Sequence, residues 1–170
     1  MTENDFECIV REHQSMVYSI AYNFFHNRAW AEEVAQDVFL QLYENQNVVS
    51  SRAHVVSWLR RTTTHRCIDV LRHRGTWNEV LMEELPDAPD NYPASDPFLQ
   101  KRLQRLVASL PERPRAIVIL RYGEDMDVEE ISRVLKMPVR TVWSHLQRGV
   151  ALLREKALRT LKEEDIGQIR

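Results

Sequence analysis

The residues of this chain with the chemistry to grip a polyanion are arginines, histidines and a tryptophan at helical spacing. Projected on a helical wheel, His54, Trp58, Arg61, His65 and Arg72 share one side, with Ile68 among them. Val55, Val56, Leu59, Thr63, Cys67 and Val70 share the other, which is the core side. A cationic stripe follows a phosphate backbone, and the face of a Trp can stack on an unpaired base. Trp58 also has a plainer reading as a half-buried packing residue, and spacing alone favours that one. A second set follows Pro138. Val142, Leu146, Val150 and Leu153 form an inner face, so Arg140, Ser144, Gln147 and Arg148 point away from it and Trp143 lies on the flank. Arg140 and Gln147 can make paired hydrogen bonds to base edges, and Arg148 suits a phosphate.

Other chemistries find no residues to carry them. His65, Cys67 and Asp69 invite a metal site, but that spacing turns Cys67 away from His65 and no second ligand cluster exists. No metal and no cofactor is expected. Two cysteines, Cys8 and Cys67, form no disulfide framework, and four glycines leave no phosphate-cradling loop. No nucleophile, base and orienting group stand together, so the chain is not expected to be an enzyme.

The elements that must position the two basic sets are helices. Phe6, Ile9, Val10, Val17, Ile20, Ala21 and Phe24 mark a helix from about Asn4 to Phe25. Asn27 can cap a second, with Ala31, Val34, Ala35, Val38, Phe39 and Leu42 as its stripe. Residues 45–51 read as a polar loop, and Ser50 or Ser51 can cap a third helix reaching about Arg74. Pro86, Pro89, Pro93 and Pro97 among acidic residues make 76–97 a flexible linker. Four shorter helices follow, at about 98–109, 112–122, 127–136 and from Pro138 to about Leu161. Asp127 and Glu130 have capping-box spacing, and only Lys136-Met137 separates the last two helices, which makes them a helix-turn-helix. The expected fold is all-α: a domain at 1–75, the linker at 76–97 and a helix-turn-helix domain at 98–170.

Charge is divided along the same boundaries. The whole chain carries a formal −2, yet residues 1–51 hold two arginines against eight acids, and 76–97 hold six acids with no Lys or Arg. Residues 52–75 hold six arginines against Asp69 alone, and 98–170 hold fifteen Lys or Arg against ten acids. Two basic segments separated by an acidic one suggest two places that meet nucleic acid. At 44% apolar and 28% charged, the 170 residues have a globular composition. The longest apolar run, Ala116–Leu120, is too short to cross a bilayer, and the acidic N-terminus has no signal-peptide core. A cytoplasmic protein with no membrane insertion is expected.

The chain as a whole resembles bacterial sigma factors of the extracytoplasmic-function group in the sigma-70 family. Ala31-Glu32-Glu33-Val34-Ala35-Gln36-Asp37-Val38-Phe39 is similar to that family's polymerase-binding helix. Trp58-Leu59-Arg60-Arg61 followed by Asp69-Val70-Leu71-Arg72 is similar to its promoter-melting helix. Leu110-Pro111-Glu112-Arg113, Leu120-Arg121-Tyr122, Glu129-Glu130-Ile131 and Thr141–Gly149 are similar to its −35-binding domain. The resemblance implies core RNA polymerase and promoter DNA as partners, and the group commonly adds an anti-sigma factor. It assigns Glu32, Glu33, Gln36, Asp37 and Phe39 to polymerase and His54, Trp58, Arg61, His65 and Arg72 to the −10 strand. The loop at 45–51 would take a flipped base, and Arg140, Thr141, Trp143, Ser144, Gln147 and Arg148 would meet the −35 duplex.

The sequence departs from the family pattern at Trp30, Thr62-Thr63, His65, Arg140, Trp143 and His145. Several of these would face bases, so the resemblance implies no particular promoter sequence. An alternative reading is a conventional helix-turn-helix regulator with an N-terminal dimerisation or sensing domain. It predicts a dimer on a palindromic site and leaves the basic third helix unexplained.

Overall fold

The computed structural model describes residues 3–45, 52–73 and 97–168, and among them there is no strand. Three helices come first: α1 (Glu3–Phe25), α2 (Arg28–Glu44) and α3 (Arg52–His73). Four follow: α4 (Pro97–Ala108), α5 (Glu112–Val118), α6 (Val128–Leu135) and α7 (Val139–Gln168). A π-helical turn at Ile119–Gly123 extends α5. Ser50, Ser51 and most of the expected loop and linker lie outside the described residues; Pro97 opens α4.

The spacing of apolar residues explains how α1, α2 and α3 pack on one another. Val17, Ile20, Ala21 and Phe24 of α1 are buried with Ala31, Val34, Val38 and Leu42 of α2. Val55, Leu59, Cys67 and Val70 of α3 close that core. Each large aliphatic side chain removed from water contributes roughly 1.5–3 kcal/mol. Thr63 and Thr64 also point inward, and their hydroxyls are satisfied by donating to the carbonyls of Leu59 (2.6 Å) and Arg60 (2.8 Å). Between α1 and α2 the chain turns at His26, which holds a left-handed φ of 47°. Asn27 then caps α2, its side-chain oxygen accepting from the Trp30 N–H at 3.1 Å.

The later helices form a second unit, with α4, α5 and α6 packed against α7. The helix expected at 112–122 is α-helical only to Val118 and finishes in the π turn. The last helix passes the expected end near Leu161 and reaches Gln168. The two units are in contact. α1 meets the π turn and α4, and α3 meets α5 and α6. Arg115 is almost fully buried where they meet, donating to Phe24 O of α1 at 3.3 Å and to Leu110 O at 2.8 Å. It also donates to Ala108 O at the end of α4. One guanidinium thereby satisfies the free carbonyls at two helix ends.

Candidate nucleic-acid and protein interfaces

The helix-turn-helix is fixed by its turn. Asp127 accepts from the Glu130 N–H (2.7 Å) while the Glu130 carboxylate accepts from the Asp127 N–H (2.8 Å). Lys136 ends α6 with a φ of 52°, and Ser132 Oγ donates to Met137 O at 2.6 Å across the turn. Val142 and Leu146 of α7 are buried with Ile131, Val134 and Leu135 of α6. Gly149 lets α7 lie close on α5, because a Cβ there would meet Val118 Cγ2 at 2.9 Å. This packing leaves Arg140, Trp143, Ser144, Gln147 and Arg148 exposed on one face, with Thr141 half-buried beside them. Val150 and Leu153, expected inside, are half-buried. His145 is held below its usual pKa, first by burial and then by Arg113 and Arg148, so it is neutral at pH 7.

On α3, His54, His65 and Arg72 are exposed, Arg61 is half-buried, and Trp58 is half-buried against the core. Trp58 thus takes its packing role while keeping part of its ring accessible. Ile68, on the same side, is only 8% exposed. It lines a cleft with Ala116, Ile117, Leu135 and Met137 of the second unit. Arg113 and Lys136 join His65 and Arg72 at that cleft. Arg72 pairs with Glu112 at 3.3 Å. Burial lowers the His65 pKa, and Arg61, Arg113 and Arg72 push the same way against Asp69.

A third surface lies between α1 and α2. Phe6, Val10, Tyr18, Phe39, Leu40 and Tyr43 line an open apolar groove, with Glu32 and Gln36 at its margin. Phe6 and Tyr43 meet edge to face, 5.2 Å between centroids. Leu40 and Tyr43 are more than half exposed, at 57% and 51%. An exposed, connected apolar groove of this kind is a candidate protein-binding surface. Glu33 is exposed on α2, and Glu32 pairs with Arg28 at 2.8 Å. Asp37 does not share that surface freely: it accepts from Arg66 of α3 at 2.6 and 2.9 Å. Leu40 and Tyr43 escaped the sequence reading because they fall outside the buried stripe of α2. Arg113 and Lys136 escaped because nothing local predicts that they meet α3. No group of His, Cys, Asp and Glu among the described residues could hold a metal ion. No described helix is long and apolar enough to cross a membrane.

Comparison with known proteins agrees with this layout. The model of Sigma-70 region 2 matches residues 9–76, and that of Sigma-70, region 4 matches residues 100–153. The ECF RNA polymerase sigma factor SigE of Mycolicibacterium smegmatis is 34% identical over 157 residues, 86% of this chain and 59% of that protein. SigW of Bacillus subtilis, also an ECF RNA polymerase sigma factor, is 26% identical over 174 residues, covering 94% and 91% of the two. In fold, the chain is similar to the sigma factor RpoE of Bartonella quintana, solved in complex with the anti-sigma factor NepR. The TM-score is 0.67 at 17% identity, over 89% of this chain and 95% of that one.

Proposed function

Since this chain belongs to the sigma-70 family, in its extracytoplasmic-function group, we propose that it binds core RNA polymerase and directs initiation at specific promoters. The observation that carries the reading is the recognition face of α7. Arg140, Trp143, Ser144, Gln147 and Arg148 stand exposed over two turns while Val142 and Leu146 anchor the helix. The N-terminal half of such a helix enters the major groove of duplex DNA, here the −35 element. Arg140 and Gln147 read base edges, and Arg148 and Thr141 hold the backbone.

The −10 element is held on α3. His54, Arg61, His65 and Arg72 follow the strand, and the accessible part of Trp58 stacks on a base. Extruding a base costs a few kcal/mol, which is repaid if this face binds the open strand better than duplex. Melting is then differential binding of two DNA states, with no nucleotide hydrolysis by this chain. Polymerase docks on the outer face of α2, where Glu32, Glu33 and Gln36 border the groove that holds Phe39, Leu40 and Tyr43. Asp37 acts one step back, tying α2 to α3 through Arg66. An anti-sigma factor that competes for these surfaces fits the same reading.

The conventional-regulator alternative leaves α1–α3, matched by region 2, without an explanation. The test is capture of core RNA polymerase by the purified chain, followed by run-off transcription from genomic fragments. Stoichiometric capture with discrete transcripts is expected. Capture without initiation, or no capture, overturns the proposal.

A further inference from the structure

We propose that the cleft between α3 and the helix-turn-helix unit binds a mononucleotide, with the base in an apolar slot and the phosphate on the cations around it. Spacing on three elements brings the lining together. His65, Ile68, Asp69 and Arg72 recur at three- and four-residue intervals on one face of α3. Arg113, Ala116 and Ile117 do the same on α5, and Leu135, Lys136 and Met137 come from the end of α6 and its turn. The cavity measures about 360 Å³. That is near the lower end for small-molecule sites, with room for one nucleotide and none for a strand. The site does not depend on how the chain meets polymerase or promoter.

Apolar and charged groups are sorted within the cleft. Ile68, Ala116, Ile117 and Leu135 are buried, and Met137 is half-buried. Aliphatic groups thus face one another across the cleft, α3 against α5 and α6, and a slot of that kind takes a flat ring. Met137 adds a flexible thioether, which makes favourable contacts with aromatic rings. Around the mouth Arg72, Arg113 and Lys136 are exposed. Neither the Arg113 nor the Lys136 side chain hydrogen-bonds to a described residue. Arg72 is steadied by Glu112, which accepts from its Nε at 3.3 Å and leaves the two terminal nitrogens as donors. Three permanent cations at one mouth repel one another, and a phosphate between them removes that cost. Two carboxylates, Asp69 and Glu112, stand against the three, so positive charge remains in excess. Burial holds the His65 pKa down, so its ring adds a neutral hydrogen-bonding group. Asp69 narrows the class of ligand. Its carboxylate repels a phosphate and accepts from hydroxyl or amino groups. An acyl chain or a bare phosphate gives it nothing to accept. A ribose gives hydroxyls, so a nucleoside phosphate satisfies the slot, the cations and Asp69 together.

The test is methyl NMR on the full chain, with Met and Ile methyls labelled, titrated with AMP, adenosine, ribose 5-phosphate and inorganic phosphate. AMP is expected to shift the Met137 and Ile68 methyls upfield by ring current and to saturate, while Met16 on α1 stays in place. It is expected to bind at least about tenfold more tightly than adenosine or ribose 5-phosphate, because it alone engages both slot and cations. No saturation by about 10 mM AMP overturns the proposal. So does ribose 5-phosphate binding as tightly as AMP, which would mean that the cations hold any phosphate and the slot holds nothing. A single-stranded 20-mer that moves Met137 where AMP does not would overturn it too, and would give the cleft to a strand.

Arg113→Gln/Lys136→Gly supplies the second arm. Both side chains are exposed, and glycine suits the φ of 52° at Lys136. AMP affinity is expected to fall about 30-fold, for two charge-assisted hydrogen bonds lost, with adenosine affinity unchanged. Should the double variant fail to fold, Arg113→Gln alone is measured, with a fall of about fivefold expected. Unchanged AMP affinity in a folded variant overturns the proposal. Polymerase capture and run-off transcription without AMP binding would remove this site and leave the promoter-directing function intact. AMP binding without capture would do the reverse.

Discussion

Arg115 shows what one residue does when its charge is used inward. Burial lowers its pKa to about 10, so it remains charged at neutral pH while bonded to the carbonyls of Ala108, Leu110 and Phe24. Arg115→Met strands those carbonyls, and a loss of about 2–4 kcal/mol is expected in urea titrations. A loss under about 1 kcal/mol would mean that water replaces the guanidinium. Beside it, His26 is 5% exposed and its pKa falls from 6.5 to about 4, first through burial and then through Arg115. The unfolded chain takes up a proton below pH 6.5 that the folded chain refuses until about pH 4. Stability should therefore fall as pH drops through that window, by about 3 kcal/mol in all. His26→Asn, which tolerates the left-handed backbone, should flatten the slope between melts at about pH 7 and pH 5. An unchanged slope would move the acid sensitivity to His65 and His145, whose pKa values are also lowered. The roles of Arg115 and His26 were not legible in the sequence. An arginine in a basic segment reads as surface, and only contact with a helix end 91 residues away makes it structural. The α7 face was legible, because exposure within one helix follows from its own period.

At the scale of elements, short-range signals translated directly into structure. The Asn27 cap, the Asp127–Glu130 box and the two-residue turn before Pro138 each depend on residues within a few positions of one another. Most of the core side of α3 came out as its wheel implied, because Leu59, Thr63 and Cys67 lie a turn apart and are fully buried, whereas Val56, expected with them, is only half-buried. What the wheel could not supply was the second unit over the other side, which is why Ile68 looked exposed and is not. The π turn at Ile119–Gly123 has no local sequence signal that we can identify. The box sets the angle of α6 and, through the turn, the N-terminus of α7. Asp127→Ala should cost about 1 kcal/mol and weaken duplex binding through disorder of the recognition helix. Circular dichroism melts and anisotropy check it together. Lost stability with intact duplex affinity would mean that α7 is oriented by Gly149 and its packing on α5 alone. Within α7, Arg140→Ala should change sequence preference. Arg148→Ala should weaken all sites alike and reduce the salt slope by about one. Swapped outcomes would show that the recognition helix is rotated relative to the face described.

For the whole molecule, a formal charge of −2 gives no overall attraction to DNA, so binding depends on which local surface is presented. One such surface is the helix-turn-helix, where Arg133, Arg140 and Arg148 are exposed near the groove-facing helix. If about three of its contacts are to phosphates, log affinity should fall with log salt at a slope of roughly −2.7. Between about 50 and 200 mM salt that is a loss of roughly 40-fold. Engaging α3 as well adds its cations, so the slope on a promoter fragment with a melted −10 segment should be steeper by about one for each further phosphate held. The slope therefore counts the surfaces in use, independently of absolute affinity. Docking on polymerase through α2 touches neither cationic surface, so any steepening on adding the core enzyme, after subtracting the enzyme's own slope on the same DNA, reports engagement of α3 with the strand. Equal slopes for the chain alone and for the corrected complex would mean that α3 makes no additional phosphate contact. Promoter melting would then have to be driven from elsewhere in the assembly.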